Sequence, residues 1–352
     1  MNNHQITFNY LSQEDLLEAG CFDIRMAIEV AEKTMLAFEQ ERILFPEKIV
    51  QIFSHSSQER INCLPATLLD EQVCGVKWVS VFPQNPSRHQ VQNLSAIFVL
   101  SEIEKGFPIA VMEGTLASNM RVAAMGAIAA KHLSRKASEV IGLIGAGEQA
   151  KMHLLSMKVV RPSLKECRVA AKTAVEEQQF IDELSPLFPD MQFVGAETHG
   201  RAAMDGADIL VTATSVQAPL LKAEWMKEGA FYSHIGGWED EYAVAQQCDK
   251  IVCDDWETVT HRTQTLSRMY SEGLLASTDI HADLHELVSG SKPGRENERE
   301  RIYFNAVGLA YIDVAIAQAM YQRATSAHIG TQLDLQQCMI FEHADILSRV
   351  RL

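Results

Sequence analysis

The sequence predicts an α/β protein, a doubly wound parallel Rossmann sheet inserted in a split α+β substrate and dimerisation domain. Three observations predict it. In EVIGLIGAGEQA, residues 139–150, a short apolar run breaks into a glycine turn and then a helix. Downstream, apolar runs of strand length alternate with polar helical segments, the pattern of a parallel sheet. Upstream, alternating and β-branched runs read as an antiparallel, half-exposed sheet.

Along the chain, two amphipathic helices come first, SQEDLLEAG and DIRMAIEVAEKTMLAFEQERI. The strands KIVQIF, RINCLPATLL, VCGVKWVSVF, SAIFVLS and FPIAVMEG follow, then a long helix, TLASNMRVAAMGAIAAKHL. At the glycine turn, Gly145 permits the bend, Gly147 lets backbone approach a pyrophosphate, and the small Ala150 lets the helix pack on the strand. That helix begins at Glu148 and Gln149 and runs to Pro162, so its first amides and its dipole face the phosphates. Further strands are expected at 167–171, 191–196, 208–214, 230–236 and 249–255. A turn-rich SGSKPGRENE, a strand at RIYFN and a helix from Gly308 to about Ala324 complete the plan. The expected division is 1–125 with 306–352 as the split domain, and 126–305 as the NAD(P)-binding domain.

At 352 residues and 47% hydrophobic the chain has the length and composition of two soluble globular domains. A formal charge of −15 opposes sequence-independent binding to nucleic acid or an anionic membrane. The N-terminal stretch lacks a basic start followed by an apolar run, so a secretory signal is not expected. The most apolar helix, VAAMGAIAAKHL, is too short to span a bilayer. Seven cysteines without a C-x-x-C pair fit reduced thiols and a cytoplasmic location. His281 and His285 in HADLH stand at helical i, i+4 spacing, but no H-E-x-x-H accompanies them and no metal is expected.

The chemistry is sought among cations in apolar or turn-like sequence. Lys77 lies inside VCGVKWVSVF, Arg121 at the polar start of an apolar helix, Lys48 at a strand opening and Arg295 in the turn KPGR. Such a cation is paired with a carboxylate, snorkels to water, or meets an anionic ligand. Arginine grips a carboxylate in a bidentate fork, and a lysine whose pKa an apolar strand lowers moves protons on an amine or imine. Beside a nicotinamide, these residues point to hydride transfer at a carbon bearing nitrogen.

Over nearly all of residues 5 to 330 the chain resembles the ornithine cyclodeaminase/μ-crystallin family. The stretches that carry the likeness are GVKWVSVFPQNPSR, FPIAVMEGTLASNMRVAAMGAIAAKHL, IGLIGAGEQA, GAFYSHIGG and ELVSGSKPGRENERERIYFNAVGLAYIDVAIA. The resemblance implies a homodimer built on the sheet of the split domain, with each active site between that domain and the Rossmann domain. It implies an oxidoreductase of CH–NH or CH–NH2 donors acting on a small amino-acid-derived substrate. The closest branch oxidatively hydrolyses N-(2-amino-2-carboxyethyl)-L-glutamate in siderophore and antibiotic pathways. Cyclodeaminase, cyclic ketimine reductase, amino-acid dehydrogenase and a non-enzymatic μ-crystallin role are the alternatives. Lys77 matches the family's catalytic lysine and Arg121 its substrate-carboxylate arginine, with Lys48, Glu113 and Arg295 assigned to substrate. Thr214, Ser215, Gly236 and Gly308 fall on the cofactor side. Cyclodeaminases carry an aspartate after the Gly-Gly of the sixth Rossmann strand, whereas here Trp238 intervenes and displaces Glu239 and Asp240, the candidate partners of Lys77. At the end of the second strand, where NAD-using members place an acid, stand Lys172 and Thr173. A lysine there pairs with a 2′-phosphate, so NAD(P) is expected with a preference for NADP(H), although Glu176 or Glu177 can reach a ribose.

Overall fold

The computed structural model describes residues 5–54 and 58–351; the first four residues of the N-terminal stretch lie outside it. The chain separates into two compact units. One comprises residues up to 23, 41–118 and from 310 onward, and the other comprises 24–40 and 119–309. The long helix Thr115–Leu133 carries the boundary near its start rather than at 125. The helix Ile24–Glu39, expected with the first unit, clusters with the second.

The split unit holds β1 (Ile6–Leu11), β2 (Ile43–Leu44), β3 (Ile49–Ser54), β4 (Glu59–Leu68), β5 (Val73–Val81), β6 (Leu94–Glu102) and β7 (Pro108–Glu113). The second unit holds β8 (Val140–Ile144), β9 (Glu166–Ala170), β10 (Gln192–Gly195), β11 (Ile209–Thr212), β12 (Gln217–Leu221) and β13 (Phe231–His234). It continues through β14 (Trp238–Asp240), β15 (Lys250–Cys253), β16 (Ala282–Asp283) and β17 (Ile302–Asn305), and β18 (Thr331–Gln336) returns to the first.

The first unit's sheet has the order β18-β1-β7-β6-β5-β4-β2, with β3 also on β4. Its β4–β7 core is antiparallel, as expected, while β1 runs parallel to β7. Neither β1 nor β18 was anticipated. Alternate residues of the central strands, among them Leu64, Ala66, Val79, Phe98 and Leu100, turn inward. The buried helix Ala310–Ser326 covers β4, β5 and β6. A Cβ on Gly75 would lie 2.7 Å from Val314 Cγ1, so glycine allows the helix to approach this closely. The opposite face leaves Tyr10, Trp78 and Ile97 exposed.

The second unit's main sheet runs β10-β9-β8-β11-β13-β17-β15-β16, and all of its pairings are parallel. β8, β11, β13, β15 and β17 are short and almost wholly buried, which accounts for their largely apolar sequences. The helix after the glycine turn spans Glu148–Val160. His281 and His285 do not share a helix, because β16 separates them and the helix starts only at Leu284. His281 faces the Pro293 carbonyl and His285 the Glu39 carboxylate, so the proposed i, i+4 pair does not form.

Candidate active site

In the second unit, a cavity of about 530 Å³ opens at the C-terminal ends of β8, β9 and β11. It brings together Gly145, Gly147, Lys172, Thr214 and Ser215, five of the residues assigned to a dinucleotide, and adds Glu176, Thr198 and Trp225. The two glycines are there for different reasons. Gly145 has φ +112°, and a Cβ on it would sit 2.5 Å from the Ala213 carbonyl oxygen, so the protein's own packing demands glycine. A Cβ on Gly147 would meet nothing within 4 Å. That open space faces the first amides of the Glu148–Val160 helix, a fit for a pyrophosphate.

Glu148 is exposed near Lys151, and the Gln149 amide donates to Asn119 Oδ1 at 2.8 Å. Ala150 is buried beneath the turn, and Thr173 caps the next helix by accepting from Glu176 N–H. Of these four, none lines the cavity. Lys172 is exposed at its rim, and its backbone N–H donates to the Glu176 carboxylate at 3.1 Å. A cation and an anion therefore stand together where a ribose or its 2′-phosphate would lie.

Glu239 and Asp240 were read as proton-transfer partners of Lys77, but both are fully buried inside the second unit. The Glu239 carboxylate accepts from Thr212 Oγ1, Thr214 N–H, Thr214 Oγ1 and Gly236 N–H at 2.6–2.8 Å. It ties the end of β11 to the end of β13 and so fixes the Thr214 edge of the cavity. Asp240 accepts from Thr265 Oγ1 at 2.6 Å and from Tyr303 OH at 3.1 Å. Burial pushes its carboxyl up to about 6, against the opposing pull of His234 and these hydrogen bonds.

Gly236 and Gly308 lie outside the cavity, in two turns at the ends of β13 and β17. The Gln264 amide donates to the carbonyls of Gly236 and Ala306 at 2.8 and 2.9 Å, bridging both turns. Asp254 accepts from Val307 N–H and Gly308 N–H at 2.8 and 2.7 Å, and burial raises its carboxyl to about 6. Gly308 has φ +98°, and a Cβ there would lie 2.9 Å from both terminal nitrogens of Arg121. The glycine makes room for the guanidinium. Arg121 is itself buried, with Asp254 among the charges it meets.

In the first unit, Lys77 projects from β5 to the covered face, where its Nζ lies 2.6 Å from Asp313 Oδ2. The lysine is 3% exposed and the aspartate 0%. Lys77 thus finds its carboxylate on the Ala310–Ser326 helix, and not at 239 or 240. Asp313 escaped the sequence reading, although an acid alone in AYIDVAIA is the same signal that marked Lys77. Lys48 is half-buried just ahead of β3. Glu113 accepts from Thr115 and Leu116 N–H, which makes it a cap on the long helix.

Arg295 does not reach a substrate site. Its guanidinium donates to the carbonyls of Leu133, Asn297, Glu300 and Gly229. Gly229 precedes β13, so this knot lies at the N-terminal edge of the parallel sheet, away from the cavity. Among the described residues no cluster of histidine, cysteine, aspartate or glutamate is arranged to hold a metal ion. No described helix is long and apolar enough to cross a membrane.

The model of the ornithine cyclodeaminase/mu-crystallin family matches residues 19–328. N-((2S)-2-amino-2-carboxyethyl)-L-glutamate dehydrogenase of Staphylococcus aureus is 29% identical, over 93% of this chain and 98% of its own. Alanine dehydrogenase of Archaeoglobus fulgidus is 31% identical over 92% and 97%. Among solved structures, the Δ1-pyrroline-2-carboxylate reductase of Thermococcus litoralis, in complex with NADH and L-proline, superposes with a TM-score of 0.87. It is 30% identical and covers 92% of this chain and 99% of that one. An archaeal alanine dehydrogenase dimer with bound NAD gives 0.86 at 29% identity, covering 94% and 100%. The chain is an NAD(P)-dependent oxidoreductase with a Rossmann-type fold. It belongs to the ornithine cyclodeaminase/mu-crystallin family.

Proposed function

We propose that the chain oxidises N-(2-amino-2-carboxyethyl)-L-glutamate and hydrolyses the product to 2,3-diaminopropionate and 2-oxoglutarate, a step toward siderophores or antibiotics. The observation that carries a proton-moving role is the buried Lys77–Asp313 pair, in a chain that also builds a dinucleotide cavity. The choice among amino-acid substrates rests on the likeness to the Staphylococcus aureus dehydrogenase. The bound nicotinamide supplies a hydride acceptor.

The chain's residues do the remaining work. Arg121 grips a carboxylate of the glutamate part, and Lys48 holds a second, which fixes the carbon to be oxidised. After oxidation the carbon–nitrogen double bond takes up water. Lys77, held by Asp313, removes a proton from that water and returns one to the departing amine. Glu113 contributes by setting the start of the helix that carries Arg121.

Lys172 biases the cavity toward NADP(H), its ammonium pairing with a 2′-phosphate, while Glu176 beside it is the group that would serve NAD. We assign the protein to the cytoplasm as a homodimer, joined through the exposed face that carries Trp78 and Ile97; the dimeric alanine dehydrogenase neighbour and the apolar character of the face support this.

The test is a substrate panel followed by cofactor absorbance, with the amine-linked dicarboxylate beside alanine, ornithine, proline and Δ1-pyrroline-2-carboxylate. Turnover should be greatest with the dicarboxylate, with keto-acid release equal to cofactor reduced. Faster turnover of any other member would replace this substrate. Tighter binding of NAD than NADP, unchanged in Lys172→Ala, would reverse the cofactor preference.

A further inference from the structure

Glu239 and Asp240 are fully buried behind the edge of the cavity, so their charge is the property left to account for. The reasoning rests on the dinucleotide reading of the cavity. A pyrophosphate on the Gly145–Gly147 turn at the end of β8 sends the two halves of a dinucleotide to either side. Lys172 and Glu176, beyond β9, mark the adenosine side. β11 and then β13 lie on the other side of β8 in the sheet, so the nicotinamide half runs over their ends.

Those ends are where the two carboxylates sit. Glu239 is bound only by hydroxyls and backbone amides from Thr212, Thr214 and Gly236. Asp240 is bound by the hydroxyls of Thr265 and Tyr303. Against both stands His234, whose Nε2 lies 3.8 Å from Glu239 and 3.6 Å from Asp240 and faces the Gly237 carbonyl at 2.8 Å. Tyr232 and Tyr303 complete the cluster, and burial holds both phenols neutral. One imidazole, even when protonated, cannot balance two carboxylates. With both carboxylates ionised the cluster carries net negative charge in a buried setting, where charge acts over longer range than in water.

An oxidised nicotinamide ring carries a positive charge and a reduced one carries none. We propose that the buried Glu239–Asp240 pair makes this chain discriminate electrostatically between the two, binding the oxidised cofactor in preference to the reduced one. The pair never meets the ring. It acts through space, while its hydrogen bonds shape the cavity edge.

The experiment measures dissociation constants for oxidised and reduced forms of the same cofactor, by fluorescence and calorimetry, at mildly alkaline pH. It compares the whole protein with Glu239→Gln and Asp240→Asn. In Glu239→Gln the ratio of oxidised to reduced dissociation constants should rise roughly tenfold, the order expected of one unit charge acting through a partly buried medium. Asp240→Asn should move it in the same direction. A purely architectural role would weaken both forms alike and leave the ratio unchanged, which would overturn the proposal. Should Glu239→Gln fail to fold, Asp240→Asn decides by the same criterion. Failure of the unaltered protein to bind either form would instead remove the dinucleotide reading itself.

Discussion

Each unit buries carboxylates, and they are held in opposite ways. Asp313 in the split unit faces an ammonium, Lys77 Nζ, at 2.6 Å. Glu239 in the nucleotide unit faces neutral donors built into two strand ends, four hydrogen bonds on one carboxylate. A lysine at the end of a flexible stem can release a proton and move, whereas backbone amides cannot. Burial and charge are common to both units; the nature of the partner is what differs.

The sharpest way to break this contrast is Lys77→Met. Turnover should fall by roughly 10³-fold or more, the scale of a lost general acid–base group, while dinucleotide titrations stay as in the unaltered protein. Near-normal turnover would reduce Lys77 to a structural ion-pair partner. Next comes Asp313→Asn, which leaves a buried ammonium without its carboxylate and should cost about 3 kcal/mol in denaturant unfolding. Combining it with Lys77→Met should restore most of the stability but none of the turnover. A loss well under 1 kcal/mol for Asp313→Asn would show that other groups balance the lysine.

Asp240 supplies a pH test from the other side. Its carboxyl lies near 3.8 when unperturbed and at about 6 in the fold, so between those values the native state holds a proton that the unfolded chain has lost. Stability contributed by this group is therefore greatest below that window, falls as pH rises through it, and stays low above it. Asp240→Asn should flatten this fall by about 3 kcal/mol, read as the difference in unfolding free energy across the window. An unchanged pH profile would mean that the carboxyl titrates normally. The smallest effect is expected from Thr265→Ala, which removes one of the neutral donors to Asp240 and should cost about 1 kcal/mol without changing dinucleotide affinity. A large effect there would make the cluster as dependent on one partner as Lys77 is.

The nucleotide unit was legible because its buried parallel strands are largely apolar and Gly145 sits where no other residue fits. The outer strands were not. ITFNYL in β1 and TQLDLQ in β18 do alternate in sequence, but they are short and isolated, and neither buries one face: β1 is half-buried along most of its length and β18 is exposed. The stripe on Ile24–Glu39 announces a buried face without saying which unit supplies the cover. At the site, Lys77 and Arg121 stood out as cations in apolar sequence, and both are buried. Arg295 looked like a solvent-facing turn residue open to ligand. Its carbonyl partners come from segments as distant as Leu133 and Gly229, which no local pattern reveals. Glu239 and Asp240 turn fully inward, which GGWED gives no sign of.

The order in which strands arrive has a consequence for synthesis. β17, the last strand of the nucleotide unit in sequence, lies between β13 and β15 rather than at an edge. The split sheet is older in the chain but finishes later still: its inner face is covered by Ala310–Ser326, and β1 waits for β18, with Ile6 opposite Gln336. A nascent chain leaving the ribosome thus carries two incomplete sheets, and the first to begin is the last to close. Leu64, Phe98 and Leu100 therefore lack their native cover until Ala310–Ser326 has been made, and exposed apolar surface of this kind is what makes an incomplete chain prone to aggregate.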